Sequence, residues 1–180
     1  MNIEIIAGSP RTGSLSHRVA LHLLGRLQQQ APQHHIGLIN MQETQLPFIQ
    51  SVWQTPEHIP SEFKEAALRI FDAKAIVLVS PEYNGGYSPA MKNFLDHFPK
   101  QSRKAFGIAT SSPGAMGGMR AAQQILQLVP ALMGIASPSL LIVPAVEKKF
   151  AEDGKLLDEG YAKNVDTFLN EFLWLAERLG

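Results

Sequence analysis

The sequence predicts an α/β protein built in three layers, a doubly wound five-stranded parallel sheet in the order 2-1-3-4-5 with helices on both faces. Two observations predict it. Apolar, strand-like runs alternate with segments of helical period, and strands alternating with helices form parallel sheets through right-handed crossovers. Three clusters rich in glycine, serine and asparagine also lie directly after the first, third and fourth apolar runs. In open α/β sheets, ligands bind beyond the carboxyl ends of the strands, where strand order reverses. Loops after strands 1, 3 and 4 are neighbours at that edge, so the spacing predicts one composite site.

The elements follow in order. Asn2–Ala7, His35–Asn40, Ala75–Ser80, Lys104–Thr110 and Ser139–Val143 suit buried parallel strands. The segment Ser16–Gln28 places Val19, Leu23 and Leu27 on one helical face with Ala20 and Leu24. Ser61–Phe71 aligns Phe63, Ala67 and Ile70, with Ser61 as the expected N-cap. Pro89–His97 is a short helix with Pro89 suited to its first position. Gly118–Met133 buries Ala122, Ile125, Val129 and Leu132, and Pro130 predicts a kink or an early end. A last helix over Asp158–Leu179 carries Val165, Phe168, Leu169, Phe172, Leu175 and Leu179. Between the second strand and second helix, Met41–Pro60 is irregular, with Pro47, Pro56, Pro60 and the exposed-looking Phe48, Ile49, Val52 and Trp53. A loop of this length in a compact domain is usually functional or docked. It is expected to cover part of the site or to form a subunit interface.

Composition limits the function classes. Residues 1–180 are expected to form one domain, and 45% of them are apolar. Sixteen basic and sixteen acidic residues leave no net charge, hence no footprint for nucleic acid or anionic membrane, and near-neutrality mildly favours an oligomer. There is no cysteine, so thiolate chemistry and disulfides are excluded. No signal-like leader and no apolar run of about 18 residues is present, which makes the cytoplasm the expected location.

The first cluster, Gly8-Ser9-Pro10-Arg11-Thr12-Gly13-Ser14-Leu15-Ser16, leads from a strand into a helix. A helix N-terminus offers free N–H groups and partial positive charge, which suits a phosphate. Ser9, Ser14 and Ser16 add hydroxyls and Arg11 adds a full charge. The dinucleotide spacing of glycines and the Lys-Ser/Thr pair of a triphosphate loop are both missing, so one phosphate fits better than Mg-ATP. The competing reading is a generic strand-to-helix turn with a surface Arg. In Pro81-Glu82-Tyr83-Asn84-Gly85-Gly86, Tyr83 offers an aromatic face, Asn84 an amide, and Gly85-Gly86 accessible backbone. Together they suit the edge of a flat heteroaromatic ring, although Tyr83 alone also suits simple packing. Ser111-Ser112-Pro113-Gly114-Ala115-Met116-Gly117-Gly118 either closes over the ring or binds a second anion at the next helix start, within reach of Arg120. Arg120 reads rather more naturally as a solvated first-turn residue. Lys92, Asn93, Asp96 and His97 are read as structural. No metal site is expected: His34-His35 point to opposite faces of a strand, and His17 and His22 are not an i,i+4 pair. Ser9 and Ser112 lack a Gly-x-Ser-x-Gly elbow.

The first loop, followed by Pro81-Glu82-Tyr83-Asn84-Gly85, Ser88-Pro89-Ala90-Met91-Lys92-Asn93-Phe94-Leu95-Asp96 and Ser112-Pro113-Gly114 with Gly117-Gly118, resembles the NADPH-dependent FMN reductase family. The resemblance extends through Phe150 and Asp153-Gly154-Lys155-Leu156. It implies a flavodoxin-like fold with non-covalent FMN. Ser9, Arg11, Ser14 and Ser16 would hold the phosphate. Pro81, Glu82, Tyr83, Asn84 and Gly85 would line the isoalloxazine and ribityl chain, and Ser112, Gly114 and Gly117 would approach the ring. The chain departs from the family at Leu15 and Ser16, where members often carry Asn and Thr, and Pro10 removes one backbone donor. Family members are commonly homodimers or homotetramers, with Lys92–His97 and the long loop near subunit contacts.

The implied activity is an FMN-dependent NAD(P)H oxidoreductase that passes hydride from NADPH or NADH through FMN to a small-molecule acceptor: a quinone, azo compound, metal oxyanion or free flavin. The flavin carries this chemistry, so no catalytic side chain is expected. Two alternatives are an FMN-binding electron carrier for a protein partner, which the neutral charge disfavours, and a degenerate member without flavin.

Overall fold

The computed structural model describes residues 1–180. Its sheet contains β1 (Asn2–Ala7), β2 (His35–Asn40), β3 (Ala75–Pro81), β4 (Ala105–Ser111) and β5 (Ile135–Val143), all parallel and in the order β2-β1-β3-β4-β5. The three central strands are buried on both faces because helices cover each side. Helices α1 (Leu15–Gln30) and α6 (Ala162–Leu179) pack on one face over Ile3, Ile5, Val77, Val79 and Ala109. Helices α2 (Lys64–Asp72), α3 (Pro89–Asp96) and α4 (Met119–Ala131) cover the other, over Ile6, Ile76, Leu78, Phe106 and Ile108. A short α5 (Val146–Lys149) touches α1 and has no apolar period that would announce it. No helix is long and apolar enough to cross a membrane.

Several boundaries differ from expectation for identifiable reasons. Strand β5 starts at Ile135 rather than Ser139. Pro138 reads as a breaker in sequence, but β5 is an edge strand with irregular register toward β4 between Phe106 and Ile108, a setting that accepts proline. Ser61 is not an N-cap: Ser61–Phe63 form a 3-10 turn, α2 starts at Lys64, and the Ser61 hydroxyl bonds Glu62 instead. Helix α4 ends one residue after Pro130. In α6 the buried stripe includes Val165, Phe168, Leu169 and Phe172 as expected, but continues through Leu173 and Ala176. Leu179 continues this i, i+4, i+7, i+11, i+14 stripe but is exposed, as the last residue of the helix.

The long loop docks on α3. Trp53, expected at the surface, is buried: its backbone N–H donates to the His97 carbonyl (2.7 Å) and its ring packs against His97 (4.6 Å between centroids), Phe63 and Phe98. Asn93 clamps the loop backbone, accepting from the Ile49 N–H at 3.0 Å and donating to the Pro47 carbonyl at 2.9 Å. Lys92 and Asp96 pair along the helix. These residues therefore act structurally, as expected. Phe48 remains 86% exposed.

Half-buried Lys104 and buried Tyr161 give stability a pH signature. The Lys104 ammonium donates to the Ile70 carbonyl (2.7 Å), and burial, reinforced by repulsion from Lys74, lowers its pKa to about 8. Burial raises the Tyr161 phenol to about 12. Between pH 8 and about 10.5 the unfolded chain keeps a proton on Lys104 that the folded protein has released, so stability rises with pH. Between about pH 10 and 12 the unfolded chain ionises Tyr161 while the folded protein does not, so stability falls. Urea midpoints across this range should show both limbs, and Lys104→Met should flatten the rise while leaving the fall. An unchanged rise in that variant would place the effect elsewhere.

Candidate functional site

The loops after β1, β3 and β4 meet at the carboxyl edge of the sheet around an open cleft of about 330 Å³. The first loop provides Ser9, Arg11, Thr12, Gly13, Ser14, Leu15 and Ser16; the second provides Pro81, Glu82 and Tyr83; the third provides Ser111, Ser112 and Pro113. The three loops therefore converge on one cleft, with Ser9, Arg11, Ser14, Ser16, Pro81, Glu82, Tyr83 and Ser112 of the expected residues in its lining.

The first loop stays in register with β3 for one residue, through Gly8 N–H to the Val79 carbonyl (2.8 Å), and then turns into α1. Ser14 occupies the N-cap position but does not cap; its hydroxyl bonds that of Ser16 at 2.9 Å. No acidic residue lies in the first turn of α1. The amides of Thr12 to Ser16 donate to no other group in the chain. These amides, the helix dipole, the neighbouring hydroxyls and Arg11 converge on one place, which is the donor set a phosphate requires. Ser9 is buried; its hydroxyl accepts from the Arg11 N–H (3.3 Å) and shares a hydrogen bond with the Tyr83 hydroxyl (3.0 Å). The Arg11 guanidinium sits 4.2 Å above the centroid of the Tyr83 ring.

The second loop is pinned at both ends by Ser80, whose hydroxyl donates to the Pro81 carbonyl and accepts from the Ser88 N–H. Tyr83 and Gly86 exchange backbone hydrogen bonds (2.8 and 3.0 Å) around Asn84-Gly85, whose φ angles are +52° and +82°. This is the two-residue turn that Asn-Gly favours, and it lies outside the cleft lining. The Glu82 carboxylate faces α4, accepting from the N–H groups of Arg120 (3.2 Å) and Ala121 (3.4 Å) with the Arg120 guanidinium 3.7 Å away. The anion at the start of α4 is thus the chain's own side chain, which stabilises the positive end of that helix. Arg120 remains 69% exposed, close to the solvated reading.

In the third loop, Ser112 lines the cleft and donates to the Gly114 carbonyl (3.2 Å), closing a local turn. Gly114 lies outside the lining. Gly117 also faces away from the cleft: with φ +60°, it packs on the end of β5, where a Cβ would fall 2.7 Å from the Pro144 nitrogen. Sequence reasoning gave no binding role to Thr12, Leu15, Ser111 or Pro113. Ser111 opens the third cluster and ends β4, where it pairs with Pro81 of β3. Its hydroxyl is buried in the cleft wall without a hydrogen-bond partner, an arrangement that calls for a polar ligand atom. The hydroxyls, free amides and single cation therefore fit a phosphate-bearing cofactor. No three His, Asp or Glu side chains come together in a way that could hold a metal ion.

Comparison with known proteins gives a consistent picture. The family described as NADPH-dependent FMN reductase matches residues 1–147. An FMN-dependent NADPH-azoreductase of Staphylococcus haemolyticus is 25% identical over 94% of this chain and 92% of its own length. A quinone reductase of Escherichia coli is 27% identical over 96% and 93%. Among solved structures, FerB, a flavoenzyme NAD(P)H:(acceptor) oxidoreductase from Paracoccus denitrificans, superposes with a TM-score of 0.72 at 21% identity, covering 99% of this chain and 98% of that one.

Proposed function

The chain belongs to the NADPH-dependent FMN reductase family, and from that premise we propose that the cleft is its FMN site and that quinones and azo compounds are its electron acceptors. The protein is an oxidoreductase that uses FMN with NAD(P)H. Bound FMN supplies the two-electron chemistry between the nicotinamide donor and the acceptor.

The observation that carries the site assignment is the first loop, where the unpaired amides of Thr12 to Ser16 sit beside Arg11 at the start of α1. In this reading Ser14, Ser16 and Thr12 donate to the phosphate, and Arg11 neutralises it. Pro81 and Pro113 shield the ring from water, while Ser111 and Ser112 meet its polar edge. Asn84 and Gly85 act by forming the turn behind Tyr83, Glu82 by tying that turn to α4, and Gly114 and Gly117 by shaping the third loop. No protein nucleophile or proton donor is required. We take residues 1–180 as one FMN-binding domain of a cytoplasmic homo-oligomer; the zero net charge favours association.

The test is to load the protein with FMN, remove the excess, and record the visible spectrum through anaerobic NADPH and then a quinone or an azo dye. Retained bands near about 370 and 450 nm should bleach with NADPH and return with the acceptor. Loss of all flavin on removing the excess would reject the site. Retained bands that NADPH leaves unchanged would point to an electron carrier.

A further inference from the structure

We infer that Tyr83 is a positioning residue for the phosphate end of the flavin site, acting through Arg11. This rests on the reading of the cleft as the FMN site. In sequence, Tyr83 reads as an aromatic for the ring of the ligand. In the structure, one face of its ring is covered by the Arg11 guanidinium at 4.2 Å, and its hydroxyl bonds the Ser9 hydroxyl that receives the Arg11 N–H. Tyr83 therefore holds both ends of Arg11: the ring face restrains the side chain, and the hydroxyl, through Ser9, restrains the backbone.

An arginine side chain carries several freely rotating bonds, and ordering it on binding an anion offsets part of the attraction. Stacking on an aromatic face orders it beforehand. Tyr83 is itself well placed to do so. The Asn84-Gly85 turn fixes its backbone through paired hydrogen bonds with Gly86, and the neighbouring Glu82 is anchored to the start of α4. The second loop thus sets the position of the cation in the first loop. The consequence is specific: Tyr83 contributes to recognition of the phosphate, more than to recognition of the ring.

The experiment compares FMN with riboflavin, which shares the ring and ribityl chain but lacks the phosphate. Dissociation constants for both are measured by quenching of flavin fluorescence in the parent protein and in Tyr83→Phe, Tyr83→Leu, Arg11→Ala and Tyr83→Leu/Arg11→Ala variants. The preference for FMN over riboflavin should fall about three- to tenfold in Tyr83→Leu, the size expected for loss of a partly exposed cation–aromatic contact. Riboflavin affinity should change little. Tyr83→Phe keeps the ring face and should retain the preference to within about twofold. With Arg11 already removed, Tyr83→Leu should cause no further loss of preference. If Tyr83→Leu does not fold, Tyr83→Met removes the same face. Equal weakening of FMN and riboflavin, or no change in either, would overturn the inference and leave the site reading intact. A parent protein with no preference for FMN, or a preference indifferent to Arg11→Ala, would overturn the phosphate assignment as well.

Discussion

Arg11→Ala is expected to weaken FMN binding by about 10- to 100-fold, the largest loss of any single substitution in the cleft. Arg11 is the only basic side chain in the cleft wall. Hydrogen bonds to charged groups contribute about 1.5–3 kcal/mol each, and about 1.4 kcal/mol corresponds to a factor of ten. The matched control is Arg120→Ala. Arg120 is the other arginine near the loops, but its side chain is 69% exposed and sits 3.7 Å from the Glu82 carboxylate. Surface pairs of this kind contribute little, so the control should stay within about twofold. A flavin titration at two ionic strengths decides between them, since screening should narrow the gap that Arg11 creates. Equal and small effects of the two substitutions would remove the phosphate from the start of α1.

Arg69→Met is expected to destabilise the protein by about 3 kcal/mol. The Glu4 carboxylate is buried on β1, on the face covered by α2. Arg69 of α2 reaches it with two donors: its Nε lies 3.1 Å from Oε1, and its Nη2 bonds Oε2. Gly37 of β2, opposite Glu4 in register, leaves the space the pair occupies; a Cβ there would collide with both side chains. Removing the arginine strands a buried carboxylate, and breaking such a pair typically costs about 3–5 kcal/mol. The partial exposure of Arg69 places the expectation at the lower end. Replacing both residues, Glu4→Leu with Arg69→Met, should recover much of the loss, because two apolar side chains tolerate burial that a lone charge does not. Urea unfolding without added FMN is the appropriate measurement, since flavin binding would raise the apparent stability by mass action. A loss below about 1 kcal/mol would mean that water reaches Glu4.

The first of these effects is legible in sequence and the second is not. A serine- and glycine-rich turn with one arginine, placed between a strand-like run and a helical period, marks the phosphate loop by local pattern alone. Glu4 looks like one polar residue near the start of a strand. Its partner is 65 positions away, and only the packing of α2 over β1 shows that the charge is buried and paired. Trp53 is a similar case. Its surrounding prolines and polar residues suggest a surface loop, and the cluster of Phe63, His97 and Phe98 that buries it is assembled by folding.

Determined by the sequence alone were the five strands, the alternation with helices that implies a parallel sheet, and the three glycine- and serine-rich loops; the order 2-1-3-4-5 that brings those loops to one edge is what the family resemblance implies. Hydrophobic period and chain punctuation are local properties, and chirality limits how strands and helices connect. Only the tertiary structure decided which residues in those loops face the cleft. Asn84-Gly85 makes a turn, Glu82 caps α4, Gly117 packs on β5, Ser111 enters the wall, and Arg11 rests on Tyr83. The physical reason is that the direction of a loop side chain depends on backbone angles and on partners from distant segments, neither of which leaves a period in the chain.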